Sequence, residues 1–223
     1  MTTPFPPYVI YDEQTGIARG PAVDVISRVC MESQIRCKIR VEPWARAYET
    51  ALQNPDTLIF SIARRPDREA LFKWIGTVAP YHVRLFSLND YAVPVVDDWH
   101  ALVGFQVAGQ MRDVKAQYLE DAGFEVMMAP SAEATIRMLF AGRAMLVAGD
   151  ALSLPYRVAE LEEDSTRLHV VASIPELSSE LYLAASLATN DVVIDAMRAA
   201  LEAIKQEGAY DRIWASSGIL PSN

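Results

Sequence analysis

Cysteine is scarce. Only Cys30 and Cys37 occur in 223 residues, with three histidines that do not cluster with them. That excludes a structural zinc site, which needs about four Cys or His ligands at short spacings. The two cysteines fit either a pair of buried thiols or a disulfide closing a short loop. A loop of this size would contribute roughly 2–3 kcal/mol and imply an oxidising compartment. Lysine is also rare: Lys38, Lys73, Lys115 and Lys205 are the only four, so arginine carries most of the positive charge. No apolar run approaches the roughly 20 residues that span a bilayer. The opening MTTPFPPYVIYDE has no basic stretch followed by an apolar one, so it does not read as a signal peptide. A cytosolic chain or a mature exported domain whose signal has been removed both fit. Internal repeats, low-complexity tracts, long charge runs and coiled-coil heptads are absent as well.

What is present is ample apolar material: 51% of the residues are hydrophobic, enough for one large domain or two lobes with real cores. The formal charge of −9 argues against nucleic acid or an anionic membrane as the main partner. Apolar spacing predicts helices over 22–31, 44–53, 67–72, 112–121, 131–140 and 192–206, and a short one around Ile213 and Trp214. Strands are predicted over 6–11, 37–41, 58–62, 81–88, 103–108, 124–128, 144–148, 168–173 and 181–187. Alternating strands and helices imply mostly parallel sheets. Two such series, separated near Asn89–Tyr91, imply two lobes.

The segment LIFSIARRPDREALFKW, residues 58–74, carries the most functional information. Arg64, Arg65 and Arg68 follow a short apolar strand and open a helix, where backbone N–H groups are left unpaired. Guanidinium groups at such a place suit a planar anion, most simply a carboxylate. Arg64 and Arg65 cannot both face inward on an extended chain.

Several stretches resemble the amino-acid-type, family-three extracytoplasmic solute-binding proteins. They are Pro7-Tyr8, the Gly20 turn, Val23-Asp24, Pro43-Trp44-x-Arg46-Ala47-Tyr48, residues 61–69, Phe72-Lys73-Trp74-Ile75-Gly76, and the tail Gly208-Ala209-Tyr210-Asp211-Arg212-Ile213. The resemblance covers nearly the whole chain and implies an α/β, two-lobed Venus-flytrap fold of periplasmic-binding-protein type II. Each lobe would be a mostly parallel sheet flanked by helices. Residues 1–88 and 186–223 would form lobe one and 89–185 lobe two, joined by two crossover strands. In relatives an arginine at the place of Arg68 holds the ligand α-carboxylate, and a carboxylate at the place of Asp150 often holds the α-amino group. Some relatives have a disulfide placed like Cys30–Cys37.

On this reading the ligand-binding candidates are Phe5, Tyr8, Trp44, Arg46, Ser61, Ala63, Arg64, Arg68, Gln110, Arg112 and Asp150, with Tyr81 as a further aromatic wall. Core packing competes for Phe5, Tyr8, Trp44 and Tyr81, and simple strand termination for Ser61 and Ala63. Gln110 and Arg112 stand where relatives often present a hydroxyl residue, and so does Ala63. These departures point away from an ordinary α-amino acid and toward a second carboxylate or a ligand of another class. The expected function is capture of a small carboxylate-bearing solute for import or sensing, in the periplasm. A monomer working with a membrane permease or receptor is expected, with no cofactor, metal or nucleic acid. Two alternatives share the fold: an enzyme acting on a cyclic carboxylic acid, and the sensing domain of a receptor. His82, His100 and His169 lie in no recognisable catalytic motif.

Overall fold

A computed structural model describes residues 1–111 and 113–216. In chain order the first elements are β1 (Ile10–Asp12), β2 (Ile17–Arg19), α1 (Pro21–Glu32), α2 (Trp44–Gln53), β3 (Leu58–Ala63), β4 (Phe72–Tyr81) and β5 (Val83–Leu88). There follow β6 (Val107–Gln110), α3 (Val114–Asp121), β7 (Val126–Ala129), α4 (Ala132–Phe140), β8 (Leu146–Asp150), α5 (Ser153–Glu160) and β9 (Leu168–Ser173). The chain closes with β10 (Ser179–Ser186), α6 (Asp191–Gln206) and α7 (Ala209–Ser216). It divides into two compact units, Met1–Pro80 with the chain from Glu180 onward, and Tyr81–Ser179. The division falls earlier than 88/89 and 185/186, because β5 pairs on both sides with strands of the middle segment.

The first unit holds a three-stranded sheet in the order β3-β10-β4 and the hairpin β1-β2. The hairpin runs into α1 at Gly20, whose φ of 118° suits glycine; a Cβ there would meet the Pro7 and Tyr8 carbonyl oxygens at 2.7 Å. Helix α1 buries Val23, Val25, Ile26 and Val29. Helix α6 buries Ile194, Met197, Leu201 and Ile204, an apolar stripe at helical spacing. The chain start is paired on both sides. Met1 donates to the Leu58 carbonyl and accepts from the Phe60 N–H, while Thr2 donates to Arg40 and accepts from Glu42.

The second unit is a five-stranded sheet, β7-β6-β8-β5-β9. Strands β6, β7 and β8 are parallel, as expected from the βα alternation. Strand β5 runs antiparallel to β8 and β9, so this sheet is parallel across β7-β6-β8 and antiparallel across β8-β5-β9, and in the first unit β10 runs antiparallel to β3. These antiparallel strands are the ones beside the two unit boundaries. Apolar residues from both faces of the sheet are buried, among them Leu85, Val107, Leu119 and Val171 on one side and Phe86, Ile136, Leu139 and Val147 on the other.

Four local expectations are corrected. Residues 37–41 alternate apolar and polar yet form no strand; only Val41 bridges, to Thr2. Residues 66–71 form a 3-10 helix, and the first strand lies at Ile10–Asp12, beyond Pro6 and Pro7, which have no N–H for a ladder. Helix α5, which contains Pro155, is not among the helices the apolar spacing predicts. That proline sits in the first turn, where its missing N–H has no intrahelical partner to lose.

Cys30 and Cys37 form a disulfide that ties the end of α1 to the segment ahead of α2, with the Cα atoms 6.1 Å apart. Replacing both by serine should lower stability by about 2–3 kcal/mol, read as a melting-temperature drop of roughly 5–10 °C. Thiol titration of the unfolded, unreduced chain should find no free sulfhydryl; two free thiols and an unchanged melting temperature would contradict the bridge.

Candidate functional site

Strand β3 does not end smoothly. Its register with β10 shifts between Tyr182, opposite Ile62, and Leu183, opposite Phe60, so Ser61 is the extra residue of a bulge. Ser61 has φ of 60°, a left-handed conformation that costs a non-glycine residue about 1–2 kcal/mol. Its hydroxyl is buried and has no hydrogen-bond partner. A strained residue carrying an unsatisfied buried hydroxyl is the kind of feature that collects at binding sites.

The bulge delivers Ala63, whose carbonyl accepts from Arg68 Nη1 at 3.2 Å. The Arg68 guanidinium lies over the rings of Trp44 and Tyr48, 5.6 and 5.4 Å from their centroids. Among the described residues no carboxylate pairs with it. The other two arginines differ. Arg64 makes a two-pronged bond to Glu69, at 2.9 and 2.5 Å, and lies over Trp74 and Tyr182. That bond holds the Glu69 carboxyl below the usual carboxylate range and raises the guanidinium above its own. Arg65 pairs with Asp67 at 3.1 Å and is exposed.

The two cation sites are ends of one aromatic row. Trp44, Tyr48, Phe72, Trp74 and Tyr182 follow one another with ring centroids 5.4–5.9 Å apart. Of this row only Trp44 is among the ligand-binding candidates drawn from the sequence. The signals for the others were present: Tyr48 lies one helical turn after Trp44, and Phe72 and Trp74 share a strand face.

The remaining first-unit candidates are placed as follows. Tyr8 is fully buried, donates its hydroxyl proton to the Pro80 carbonyl and packs on Trp214, which is the core role. Phe5 is half-buried and stacks on Tyr8, with centroids 4.8 Å apart. Arg46 is 72% exposed and pairs with Glu42 at 3.4 Å, apart from the aromatic row.

In the second unit, Asp150 ends β8 and is only 3% exposed. Its carboxylate accepts from the backbone N–H groups of His82, Leu152 and Ser153, so it fixes the starts of β5 and α5. Gln110 ends β6, and its carbonyl accepts from Asp113, the N-cap of α3. Gly109 lets β6 approach α3, since a Cβ would lie 2.7 Å from that of Ala116. Arg112 lies outside the described residues. Tyr81 belongs to a polar group that the sequence did not reveal. Burial raises its phenol pKa; Asp150 and Asp113 add to the rise, and Lys115 and Arg157 oppose it. Lys115 pairs with Asp113 at 2.9 Å, and Arg157 with Glu133 at 3.6 Å. His100 pairs with Asp98 on the surface, while the His169 Nδ1 on β9 is buried without a partner.

The sequence profile of the bacterial extracellular solute-binding proteins, family 3, matches residues 1–216. The chain belongs to that family. No curated protein matches it in sequence. Among solved structures it is similar to substrate-binding domain 2 of GlnP from Lactococcus lactis in an open conformation, with TM-score 0.76, 13% identity, and coverage of 95% of this chain and 91% of that one. It is similar to the unliganded, open L-cystine solute receptor of Neisseria gonorrhoeae, with TM-score 0.76, 15% identity, and coverage of 96% and 90%. A histidine kinase sensor domain also matches, with TM-score 0.71, 18% identity, and coverage of 99% and 96%. At these identities the likeness is one of fold. This family-3 domain therefore shares a scaffold found both in solute receptors and in a kinase sensor. No helix among its described residues is long and apolar enough to cross a membrane.

Two substitutions test the site's construction. Ser61→Gly should keep or raise stability by up to about 1 kcal/mol, since glycine adopts the left-handed conformation freely, whereas Ser61→Val should cost more than about 2 kcal/mol. Equal melting temperatures for the two would remove the strain argument. Asp150→Asn turns an amide donor toward backbone donors and should cost about 2–3 kcal/mol in chemical denaturation; a neutral result would show that the carboxylate is not bearing the β5 and α5 starts.

Proposed function

We propose that this family-3 domain captures a small carboxylate-bearing solute, an amino acid or related organic acid, with Arg68 gripping the carboxylate. One observation carries the reading. Of the three arginines after β3, Arg64 and Arg65 have carboxylate partners within the chain, while Arg68 is held by a carbonyl and two ring faces. A guanidinium so placed has its orientation fixed and donors to spare, which is what two-pronged recognition of a carboxylate requires. Trp44 and Tyr48 exclude water from one side of the pair and strengthen it. The buried Ser61 hydroxyl, lacking a partner, is a second polar contact for the same ligand end.

Arg64 enters this reading as part of the aromatic wall, because Glu69 already occupies its fork. Asp150 enters as a positioning group, because three backbone N–H groups already share its carboxylate. Capture between two lobes, with the ligand shifting an open–closed equilibrium by its differential affinity, is the mechanism the reading includes. The domain is read as a binder, since an arginine clamp does its work without moving a proton. Its place is the periplasm, where the Cys30–Cys37 bridge is stable, and its partner is a permease or a sensor kinase.

Calorimetry against a panel of amino acids and organic acids tests the assignment. Arg68→Ala should weaken the best ligand about ten- to a hundredfold, the loss expected for charged hydrogen bonds, with little change in melting temperature. Arg68→Lys should recover only part of the affinity, and Arg64→Ala should cost less than Arg68→Ala. Full affinity in Arg68→Ala would sink the carboxylate role.

A further inference from the structure

Strand β7 is an edge of the second unit's sheet and pairs only with β6. The hydrogen bonds at its two ends set its parity. The Glu125 carbonyl accepts from Val107, and the Ala129 carbonyl from Met111. In a parallel ladder alternate residues turn toward one neighbour, so Glu125, Met127 and Ala129 face β6. Val126 and Met128 therefore turn their N–H and C=O groups outward. The open run is closed at both ends. The Phe124 N–H is taken by the Leu119 carbonyl, and Pro130 has no N–H. Val126 and Met128 are left as the donors and acceptors of this edge, and among the described residues nothing meets them.

The side chains add to the openness. Edge strands are commonly guarded by charge, proline or a covering segment. Val126-Met127-Met128-Ala129 carries no charge. A Cβ on Gly109, opposite Met128, would meet Val126 Cγ1 at 2.6 Å and Ala116 Cβ at 2.7 Å, so α3 covers this face of the sheet. Val126 packs into the core there. The end of the strand is left uncovered: Met128 is 42% exposed, Met111, two residues beyond Gly109, 52%, and Val114, the first residue of α3, 66%.

We propose that the β7 edge is a self-association site, taking β7 of a second copy of this chain in antiparallel register about a two-fold axis through Met127. The occupant must bring acceptors and donors at the same spacing, on an uncharged strand that is closed after the same length. Strand β7 is itself such a strand. In this register Val126 of each copy faces Met128 of the other and exchanges both hydrogen bonds with it, so every open group on both edges is used. Glu125 falls opposite Ala129 of the second copy, so no like charges meet across the pair. The exposed Met128 gains Val126 as its cross-strand neighbour, and the two five-stranded sheets become continuous. Nothing in this inference rests on Arg68 or the ligand reading.

Cross-linking tests the register. Cys30 and Cys37 are bridged to each other, so an introduced cysteine supplies the free thiol. Met127 would face its own copy in a non-hydrogen-bonded pair with Cα atoms about 4.5 Å apart, inside disulfide range. Under mild oxidation Met127→Cys should become a covalent dimer about tenfold or more faster than Glu125→Cys, whose thiol would lie opposite Ala129. Sedimentation of the unaltered chain should show its mass rising from one chain toward two between about 10 µM and 1 mM, the range of a small interface. Met128→Lys, at an exposed position, should keep the melting temperature and weaken association about tenfold or more. In concentrated solution the Val126 and Met128 amides should exchange about tenfold more slowly than in dilute solution. A chain that stays single up to about 1 mM overturns the proposal, whether its edge is left open or is taken by a different polypeptide. So does a dimer that leaves those amides unprotected, survives Met128→Lys, or links Glu125→Cys as fast as Met127→Cys.

Discussion

A guanidinium can be drawn out of water only where its donors and its charge are met by something else. At Arg68 that something is the Ala63 carbonyl and the faces of Trp44 and Tyr48. Each of these depends on a separate part of the first unit. Ala63 is positioned by the bulge in β3, whose register against β10 jumps at Ser61. Trp44 and Tyr48 share one face of α2 with Ala47 and Ala51, the two residues the helix buries. The aromatic row continues through Phe72 and Trp74 on β4 to Tyr182 on β10, so the strand opposite the bulge and its next neighbour also hold the rings. A strained serine at the centre of this arrangement is tolerated because the surrounding pairing over-determines it.

The sequence pattern revealed the arginine cluster but not its division of labour. Three arginines in five residues look equivalent on paper. Glu69 and Asp67 decide between them: the first reaches back five residues to Arg64 and the second two residues to Arg65. Arg68 points the other way, toward the end of the strand. Strict alternation predicted only that Arg64 and Arg65 diverge. Which arginine stays without an acidic partner depends on the tight 3-10 turn at Pro66–Leu71, and its winding is not visible in hydrophobic spacing. The same limit explains Tyr8. Its neighbours suggested a wall of the site, yet Trp214, more than two hundred positions later, covers it. Local patterns placed α2 and β9 to the residue, because both carry their burial signal within their own span.

The second unit shows why a strand-end carboxylate is an ambiguous signal. Asp150 follows a glycine at the end of a buried strand, a position that suits ligand contact. It also suits capping, and three backbone donors converge on it. Buried backbone N–H groups must be satisfied, and a carboxylate is the strongest acceptor available to do so. The groups with more latitude in this unit are Tyr81, Lys115 and Arg157, which come from a strand and two helices. No local window of sequence contains them all, so their proximity was legible only after folding.

A strand is not a property of five alternating residues; it is a property of a ladder. Residues 37–41 have the alternation, and the disulfide from Cys37 to Cys30 fixes the segment to α1. Leu58 and Phe60 supply the opposite edge. Among the described residues only Met1 and Thr2 form rungs between them, and regular pairing stops where those rungs stop. Residues 37–41 carry the alternation of a strand, but the structure forms none there, because a ladder needs backbone partners along its whole length. Alternating side chains record which residues face the core and which face water, and the backbone between them forms a strand only where donors and acceptors on a neighbour meet it.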